Sequence, residues 1–332
     1  MAQPHSVSRV SRRQFLATLP MVALAASCRP PYDRSAFALP PRSPVALLPA
    51  ASYGGDLAGI VFRGLDLFRP AVAGRRVLLK PNLVEYETTT VINTNPALIA
   101  AAVEAFRRAG AADVVVAEGP GHGRDIEYLL TATGLYDVLN DLKVRFVDLN
   151  HDEVRTVPLG SWFTGLRSMA LPVEVLRSDF VVSLPKLKTH HWAGMTAGMK
   201  NLFGTVPGAV YGWPKNILHV RGLERSIVDL NATIRPHFAI VDAVVAMEGD
   251  GPIMGRPRHL GMIAMGPDLV AVDATCARVM GLDPIKLGYL DSASRFLGNI
   301  REDRIDQRGE RVDRYRTRFE LVPALEHLRA KA

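Results

Sequence analysis

The feature that most constrains the fold is a regular alternation between short apolar runs and longer segments with helical periodicity. Apolar runs of strand length occur at residues 45–48, 77–79, 114–117, 144–147, 180–184, 238–241 and 263–265. Segments with one apolar face at helical spacing occur at residues 56–68, 97–108, 126–142, 223–234 and 269–280. Strands that alternate with helices in this way are typical of a parallel sheet covered by helices. The sequence therefore predicts one globular α/β domain, over residues 45–325, with a mainly parallel β-sheet flanked by helices.

The first 44 residues are predicted to lie outside this domain. Arg12 and Arg13 form a twin-arginine pattern ahead of an apolar run at residues 15–27. At about 1.5 Å per residue such a run is too short to cross a hydrocarbon core roughly 30 Å thick. We interpret residues 1–28 as a twin-arginine signal peptide, so the export machinery is an expected partner and the periplasm an expected location. Residues 29–44, rich in Pro, Arg and Ser, are predicted to be a flexible leader.

Cys28, at the end of the apolar run, leaves two fates open. Small residues precede it, which is similar to a lipoprotein cleavage site, although Ala25 stands where a larger aliphatic residue is usual. A lipid on Cys28 would hold the mature chain on a membrane surface. Plain cleavage nearby would release the chain into the periplasm.

Composition excludes several classes of protein. The chain is 48% hydrophobic and 22% charged, as in ordinary globular proteins. Three arginines of the net charge of +7 belong to the signal, which leaves +4 on the remainder and no nucleic-acid-binding module in the pattern. Only Cys28 and Cys276 occur, so no iron–sulfur cluster is expected from this chain's own cysteines. Cys276 is expected to be a buried structural thiol.

Polar clusters follow four of the predicted strands. Lys80 and Asn82 follow the strand at 77–79, Glu118 opens a glycine-rich loop after 114–117, and Asp242 ends 238–241. The segment at 185–190 follows the strand at 180–184. Because ligands of open α/β sheets bind beyond the carboxyl ends of the strands, this arrangement predicts a pocket there.

The segment at 185–190 carries most of the expected chemistry. Lys186, Lys188 and His190 alternate along it, so they point the same way if the segment is extended. Several N–H donors facing one pocket suit a phosphate, a carboxylate or a developing oxyanion. A lysine there whose pKa is lowered by burial or by neighbouring lysines is also a candidate base or Schiff-base former.

The predicted roles follow from these side chains. The lysines would hold or polarise an anion, the asparagines would orient it, and Glu118 or His190 would move a proton. Glu118 is alternatively a counter-charge to the lysines. The candidate catalytic residues are Glu118, Lys186 and His190, and the candidate ligand-binding residues are Lys80, Asn82, Lys188, Lys200 and Asn201.

Other patterns give weaker signals. The glycine loop at 118–123 lacks the spacing of nucleotide-binding motifs, and no G-x-S-x-G elbow occurs. The acidic turn at 248–252, together with Asp242, Asp273 and the histidines, offers ligands for a divalent metal, but it lacks metal-ligand spacing. A plain turn is the favoured interpretation, and we predict no metal site. Trp192 is expected to pack in the interior, with stacking on a flat ligand as the alternative.

Five segments together resemble the DUF362 family of uncharacterised bacterial and archaeal proteins. They are VLLKPNL (77–83), EG (118–119), LPKLKTH (184–190), MKNLFG (199–204) and EGDGP (248–252), within a similarity that spans roughly residues 45–282. The resemblance implies a shared pocket carried by all eight of the residues named above. It implies no particular reaction. Many members of the family carry an appended ferredoxin-like module, and the cysteines of that module are absent here.

Three functions remain open at this point. The leading hypothesis is an exported enzyme that acts on an anionic small molecule. The alternatives are a non-catalytic protein that binds or delivers a ligand or metal, and a redox accessory partner like the ferredoxin-fused relatives.

Overall fold

A ten-stranded sheet organises the protein in the computed structural model, which describes residues 29–331. The predicted signal peptide, with its arginine pair and Cys28, lies outside the described residues. The strands are β1 Ser43–Pro49, β2 Arg76–Pro81, β3 Asp113–Glu118, β4 Phe146–Asp148, β5 Val154–Pro158, β6 Ser168–Pro172, β7 Phe180–Leu184, β8 Lys186–His190, β9 Gly194–Thr196, β10 Phe238–Glu248, β11 Arg256–Gly266 and β12 Ile305–Gly309.

The sheet is mostly parallel. Its order is β12-β1-β11-β10-β7-β2-β3-β4, and β8 pairs with β10 and β9. All neighbours along the path from β10 to β4 run parallel, whereas β11 is antiparallel to both of its neighbours. A separate antiparallel hairpin is formed by β5 and β6. The predicted α/β class with a mainly parallel sheet is confirmed.

Helices cover both faces of the sheet. They are α1 Leu57–Phe68, α2 Pro96–Arg108, α3 Ile126–Ala132, α4 Leu135–Asp141, α5 Val173–Arg177, α6 Gly198–Asn201, α7 Gly208–Tyr211, α8 Asn216–Val220, α9 Leu223–Ile234, α10 Leu269–Val279, α11 Gly288–Ser294 and α12 Val312–Tyr315. Short 3₁₀ turns lie at Arg34–Ala36, Leu202–Thr205, Pro284–Lys286, Glu302–Arg304 and Pro323–Leu328. None of the helices between residues 29 and 331 has the length and apolar character needed to cross a bilayer.

The core forms two layers because the strands alternate their side chains. Val45 and Leu47 of β1 pack in one apolar cluster, whereas Ala46 between them packs in the other. The period of two along a strand sends successive residues to opposite faces. Cys276 of α10 lies in the first cluster and is fully buried, which raises the pKa of its thiol well above the usual value. It is a structural thiol, as predicted.

Several elements differ from those that the sequence predicts. The segment at 126–142 forms two helices because Gly134 adopts a φ of +73° between them. The strand predicted at 238–241 continues to Glu248, so Asp242 lies inside β10 rather than at its end. Asp242 interrupts the apolar run, but the apolar residues 243–247 continue the same buried strand, and Asp242 is buried within it as the partner of Lys186.

The predicted leader packs on the domain from Pro31 onward. The Tyr32 ring stacks 3.9 Å from that of Phe296, and Phe37 meets the same ring edge-on at 4.8 Å. The backbone N–H of Trp162 donates to the Pro31 carbonyl at 2.8 Å. Low apolar periodicity suggested a flexible tether, but two isolated aromatic side chains supply the contacts that periodicity does not report.

Candidate functional site

A cavity of about 460 Å³ opens where β2 and β3 end and along β8. Ligand pockets in proteins have volumes of roughly 300–1,000 Å³. The sequence predicted eight site residues, and six of them line this cavity. These are Asn82, Glu118, Lys188, His190, Lys200 and Asn201.

Beneath this lining, Lys80 and Glu118 form a buried ion pair. Lys80 Nζ lies 2.6 Å from Glu118 Oε2, and both side chains are almost fully enclosed. Lys80 also donates to Asn201 Oδ1 at 3.2 Å, which fixes that amide at the cavity wall. The Glu118 carboxylate accepts two further bonds, from the backbone N–H groups of Leu83 and Gly119. With its lone pairs engaged in this way, Glu118 serves as the counter-charge of Lys80.

Gly204 allows this pair to form. A Cβ atom there would clash with Glu118 Oε1 and would lie 2.6 Å from Lys80 Nζ. The backbone around Gly119 is equally close, since a Cβ atom there would lie 2.7 Å from the Gly204 carbonyl oxygen. The glycines of the two motifs therefore bring two loops into contact over the ion pair.

Lys186, like Lys80, is a predicted residue that does not line the cavity. Its Nζ is 2.7 Å from Asp242 Oδ2 and also donates to the Tyr53 hydroxyl at 2.7 Å. The side chains of β8 do alternate as expected, but Lys186, the first of them, forms its ion pair with Asp242 on the adjacent β10. Lys186 therefore ties β8 to β10, and the sequence expectation that its ammonium group faces the pocket with that of Lys188 needs this correction.

Three other lysines reach the cavity. Lys188 Nζ donates only to carbonyl oxygens, of Ile92 at 2.9 Å and Pro252 at 3.3 Å. The Lys200 ammonium lies 4.5 Å from the centre of the Phe203 ring. Lys215 donates to Asn150 Oδ1 and to the Val206 carbonyl. In residues 29–331 the lysine ion pairs are Lys80–Glu118 and Lys186–Asp242, so these three cavity lysines have no carboxylate partner there.

The pKa values of these three lysines are lowered, as expected for buried amines without a carboxylate partner. Burial lowers the pKa of Lys200 to about 8, with the charge of Lys80 adding to the effect. Burial likewise lowers the pKa of Lys215 to about 7. The pKa of Lys188 falls well below its ordinary value through burial and then through the positive charges of Lys200 and Lys186. These amines lose their protons readily because burial and mutual repulsion disfavour their charged forms, and an incoming anion would favour the charged forms again.

His190 presents a fixed N–H to the cavity. Its Nδ1 accepts from the backbone N–H groups of Trp192 at 3.2 Å and Ala193 at 3.3 Å. The ring proton of the neutral form must then sit on Nε2. Burial, followed by the charge of Lys200, lowers the pKa of His190 well below its usual value and keeps the ring neutral. His190 is therefore a hydrogen-bond donor, which suits it to stabilise negative charge rather than to accept a proton.

Trp192 stands at the mouth of the cavity. It is 64% exposed, so the expectation that it packs in the interior is wrong. The tight turn between β8 and β9 projects it outward, where its ring meets that of His219 edge-on at 5.6 Å. The alternative interpretation, a platform for a ligand, is the one that its position permits.

Sequence reasoning missed Lys215 and His219. Both lie on short helices and turns between residues 205 and 222, which show no regular periodicity, so no strand end pointed to them. The rarity of lysine was an available signal for Lys215, because the chain has eight lysines against 32 arginines. In the described part of the chain, no three His, Cys, Asp or Glu side chains are grouped as metal ligands.

Residues 77–278 match the sequence model of the family described as "Domain of unknown function (DUF362)". The chain belongs to the DUF362 family. A thylakoid-associated protein of Synechocystis sp. is 31% identical to it over 230 residues, which cover 67% of this chain and 68% of the relative. The predicted membership is confirmed.

Two solved structures share a distant likeness in fold with this DUF362 protein. The lactate racemase apoprotein of Thermoanaerobacterium thermosaccharolyticum is 12% identical over 74% of this chain, with a TM-score of 0.47. A Thermotoga maritima protein is 13% identical over 67% of this chain, with a TM-score of 0.39. The chain spans 59% of the length of each. Likenesses at this level carry no argument about function.

Proposed function

We propose that this DUF362 protein is an enzyme that binds a small organic anion in the cavity and performs acid–base chemistry on it. The observation that carries the proposal is the group of three cavity lysines, Lys188, Lys200 and Lys215, with lowered pKa values and no carboxylate partner among residues 29–331. Buried charges are normally paired, and an unpaired one is costly. A bound anion would supply the partner.

The cations have different places in this scheme. Lys188, held rigidly by two carbonyl oxygens, and Lys215, held by Asn150, would contact the anionic group. Lys200 has no hydrogen-bond acceptor in the described part of the chain, and its pKa of about 8 lies near neutrality. A group with such a pKa gives up and regains a proton easily, so Lys200 is the candidate proton carrier.

The uncharged groups would complete the site. His190 would direct its Nε2 proton toward the oxygen on which negative charge develops. Asn82 and Asn201 would orient the bound molecule, and the Lys80–Glu118 pair would hold Asn201 in place. Lys186 would act indirectly, because its ion pair with Asp242 anchors β8 to β10.

The test is conversion of organic anions by the purified chain. A pooled fraction of small carboxylic acids and phosphate esters is incubated with the wild type, with Lys200→Met and with His190→Leu, and every component is followed by mass spectrometry. The proposal expects one class of anion to be consumed by the wild type only. A matched control is Lys286→Met, which changes a lysine outside the cavity lining.

Two other results would speak against the enzyme. An anion that binds stoichiometrically but never changes would indicate the non-catalytic binding or delivery protein. Absence of both binding and conversion would remove the anion site itself.

We also propose that the chain is exported by the twin-arginine route and acts in the periplasm or, with a lipid on Cys28, at a membrane surface. The support is the pattern at Arg12 and Arg13, and the name of the Synechocystis relative records an association with the thylakoid. Fractionation of cells that express the wild type or the Arg12→Lys/Arg13→Lys variant tests this. Equal retention of both in the cytoplasm would contradict export.

A further inference from the structure

The outer part of the cavity lining carries a group of apolar side chains beside the polar His122, His191 and Asp250, in contrast to the lysines of the interior. Met254 is 76% exposed and Trp192 is 64% exposed, and both line the cavity. Pro214, Pro252 and Ile253 continue the same wall. Single exposed apolar side chains are common on protein surfaces, but a group of them around one opening indicates a binding surface.

A hydrogen bond joins the two turns that carry these side chains. Trp192 lies in the turn between β8 and β9, and Met254 lies in the turn between β10 and β11. The His191 N–H donates to the Gly251 carbonyl at 2.9 Å, which joins the two turns. The exposed side chains thus stand on braced hairpins beside the lysines.

The volume exceeds what a simple anion needs. Taking roughly 30 Å³ for each water-sized heavy atom, a cavity of about 460 Å³ holds on the order of 15 non-hydrogen atoms. A phosphate or acetate group occupies about a third of that at most. The cavity therefore has room for a larger body attached to the anionic group.

We propose that the ligand is an amphiphilic anion, with a carboxylate or phosphate head at the lysines and an apolar body of about ten atoms against Trp192 and Met254. This inference rests on the proposed anion site and specifies the class of molecule that it takes. The lysines neutralise the head, and the indole and thioether cover the body. Burial of the body removes its apolar surface, and that of the mouth, from water.

The experiment is a chain-length series measured by ligand-observed NMR titration of the full chain at pH 7. The carboxylate series is acetate, butanoate, hexanoate and octanoate, and the phosphate series is inorganic phosphate, butyl phosphate and hexyl phosphate. The dissociation constant is expected to fall about threefold to fourfold with each methylene until the body fills the cavity. Comparison of the two series identifies the head group.

Variants separate the head from the body. Trp192→Ala/Met254→Ala, at exposed positions, is expected to weaken octanoate at least about tenfold and to leave acetate within about twofold. Tyr136→Ala, also exposed but away from the cavity, is expected to change neither.

The outcomes distinguish the two proposals. Short and long anions that bind equally well, with no effect of the double variant, would overturn the amphiphilic ligand and keep the anion site. No binding by any member, with Lys200→Met indistinguishable from the wild type, would overturn both.

Discussion

The buried pair Lys80–Glu118 offers the sharpest test of the site's energetics. Glu118→Gln keeps the shape of the side chain and removes its charge, which leaves the Lys80 ammonium enclosed without an anion. Removing one partner of a buried pair costs about 3–5 kcal/mol. Lys80 can limit that cost by losing its proton. At pH 7, which is roughly 3.4 units below the pKa of an unfolded lysine, deprotonation costs about 1.4 kcal/mol for each unit. The limit is therefore also close to 5 kcal/mol.

Because Lys80 can lose its proton, the cost of Glu118→Gln is expected to depend on pH. Burial already lowers the pKa of Lys80, and Glu118 opposes that shift. Without Glu118 the folded-state pKa falls further, so the unfolded state binds more protons between the two pKa values and stability rises with pH. At pH 9 the limiting cost is about 2 kcal/mol, since only about 1.4 units remain below the unfolded pKa.

Urea unfolding of the full chain at pH 7 and pH 9 measures both quantities. Glu118→Gln is expected to lose about 4 kcal/mol at pH 7 and to recover about half of that at pH 9. The control is Glu104→Gln, an exposed glutamate in α2, which is expected to change stability by less than about 0.5 kcal/mol. A loss below about 1 kcal/mol at pH 7, or a loss that does not shrink at pH 9, would refute the reasoning.

Three further predictions test other parts of the site. Gly204→Ala is expected to destabilise the chain by about 3 kcal/mol in urea unfolding, because the new Cβ atom meets the ion pair, whereas Gly121→Ala, with no atom nearby, should be almost neutral. Anion binding at pH 8 is expected to take up at least about one proton, seen by calorimetry in buffers of different ionisation enthalpy, because the anion raises the pKa values of Lys188, Lys200 and Lys215 toward normal; an uptake that is undiminished in the Lys200→Met/Lys215→Met variant would contradict this. Burial raises the pKa of Asp273 to about 7, so the folded state keeps a proton that the unfolded state releases, and this carboxyl makes the wild type less stable as pH rises from 4 to 7. Asp273→Asn lacks that group, and its unfolding free energy relative to the wild type should rise by about 3–4 kcal/mol over this range; a constant difference would count against it.

Much of the fold could be predicted because apolar periodicity reports burial directly. The apolar run at 180–184 is β7 without change, and the helices at 97–108 and 223–234 lie within one residue of those observed. Asn95 and Pro96 mark one helix start, where the Asn95 side chain accepts from the Ala97 N–H. The length of β10 was underestimated because the charged Asp242 reads as a strand end, whereas its ion pair with Lys186 allows it to be buried inside the strand.

The site was predictable where it lies on strand ends and not where it lies on irregular chain. Lys80, Glu118 and Lys188 follow or occupy buried strands, so topology alone brings them together. Asp242 lies on another strand and pairs with Lys186, which leaves Lys188 as the lysine of β8 that faces the pocket. The local sequence around β8 does not contain that contact. Lys215 approaches from a loop whose path is set by tertiary packing.

An organic anion held by the cavity lysines is the basis of both proposals for this protein. Native mass spectrometry of the full chain, wild type and Lys200→Met, after exposure to a pool of carboxylic acids and phosphate esters tests it most directly. We expect a stoichiometric adduct on the wild type that is released on denaturation as an anion and is lost from the variant. A wild type that retains nothing, or an adduct that the variant retains equally, would contradict it.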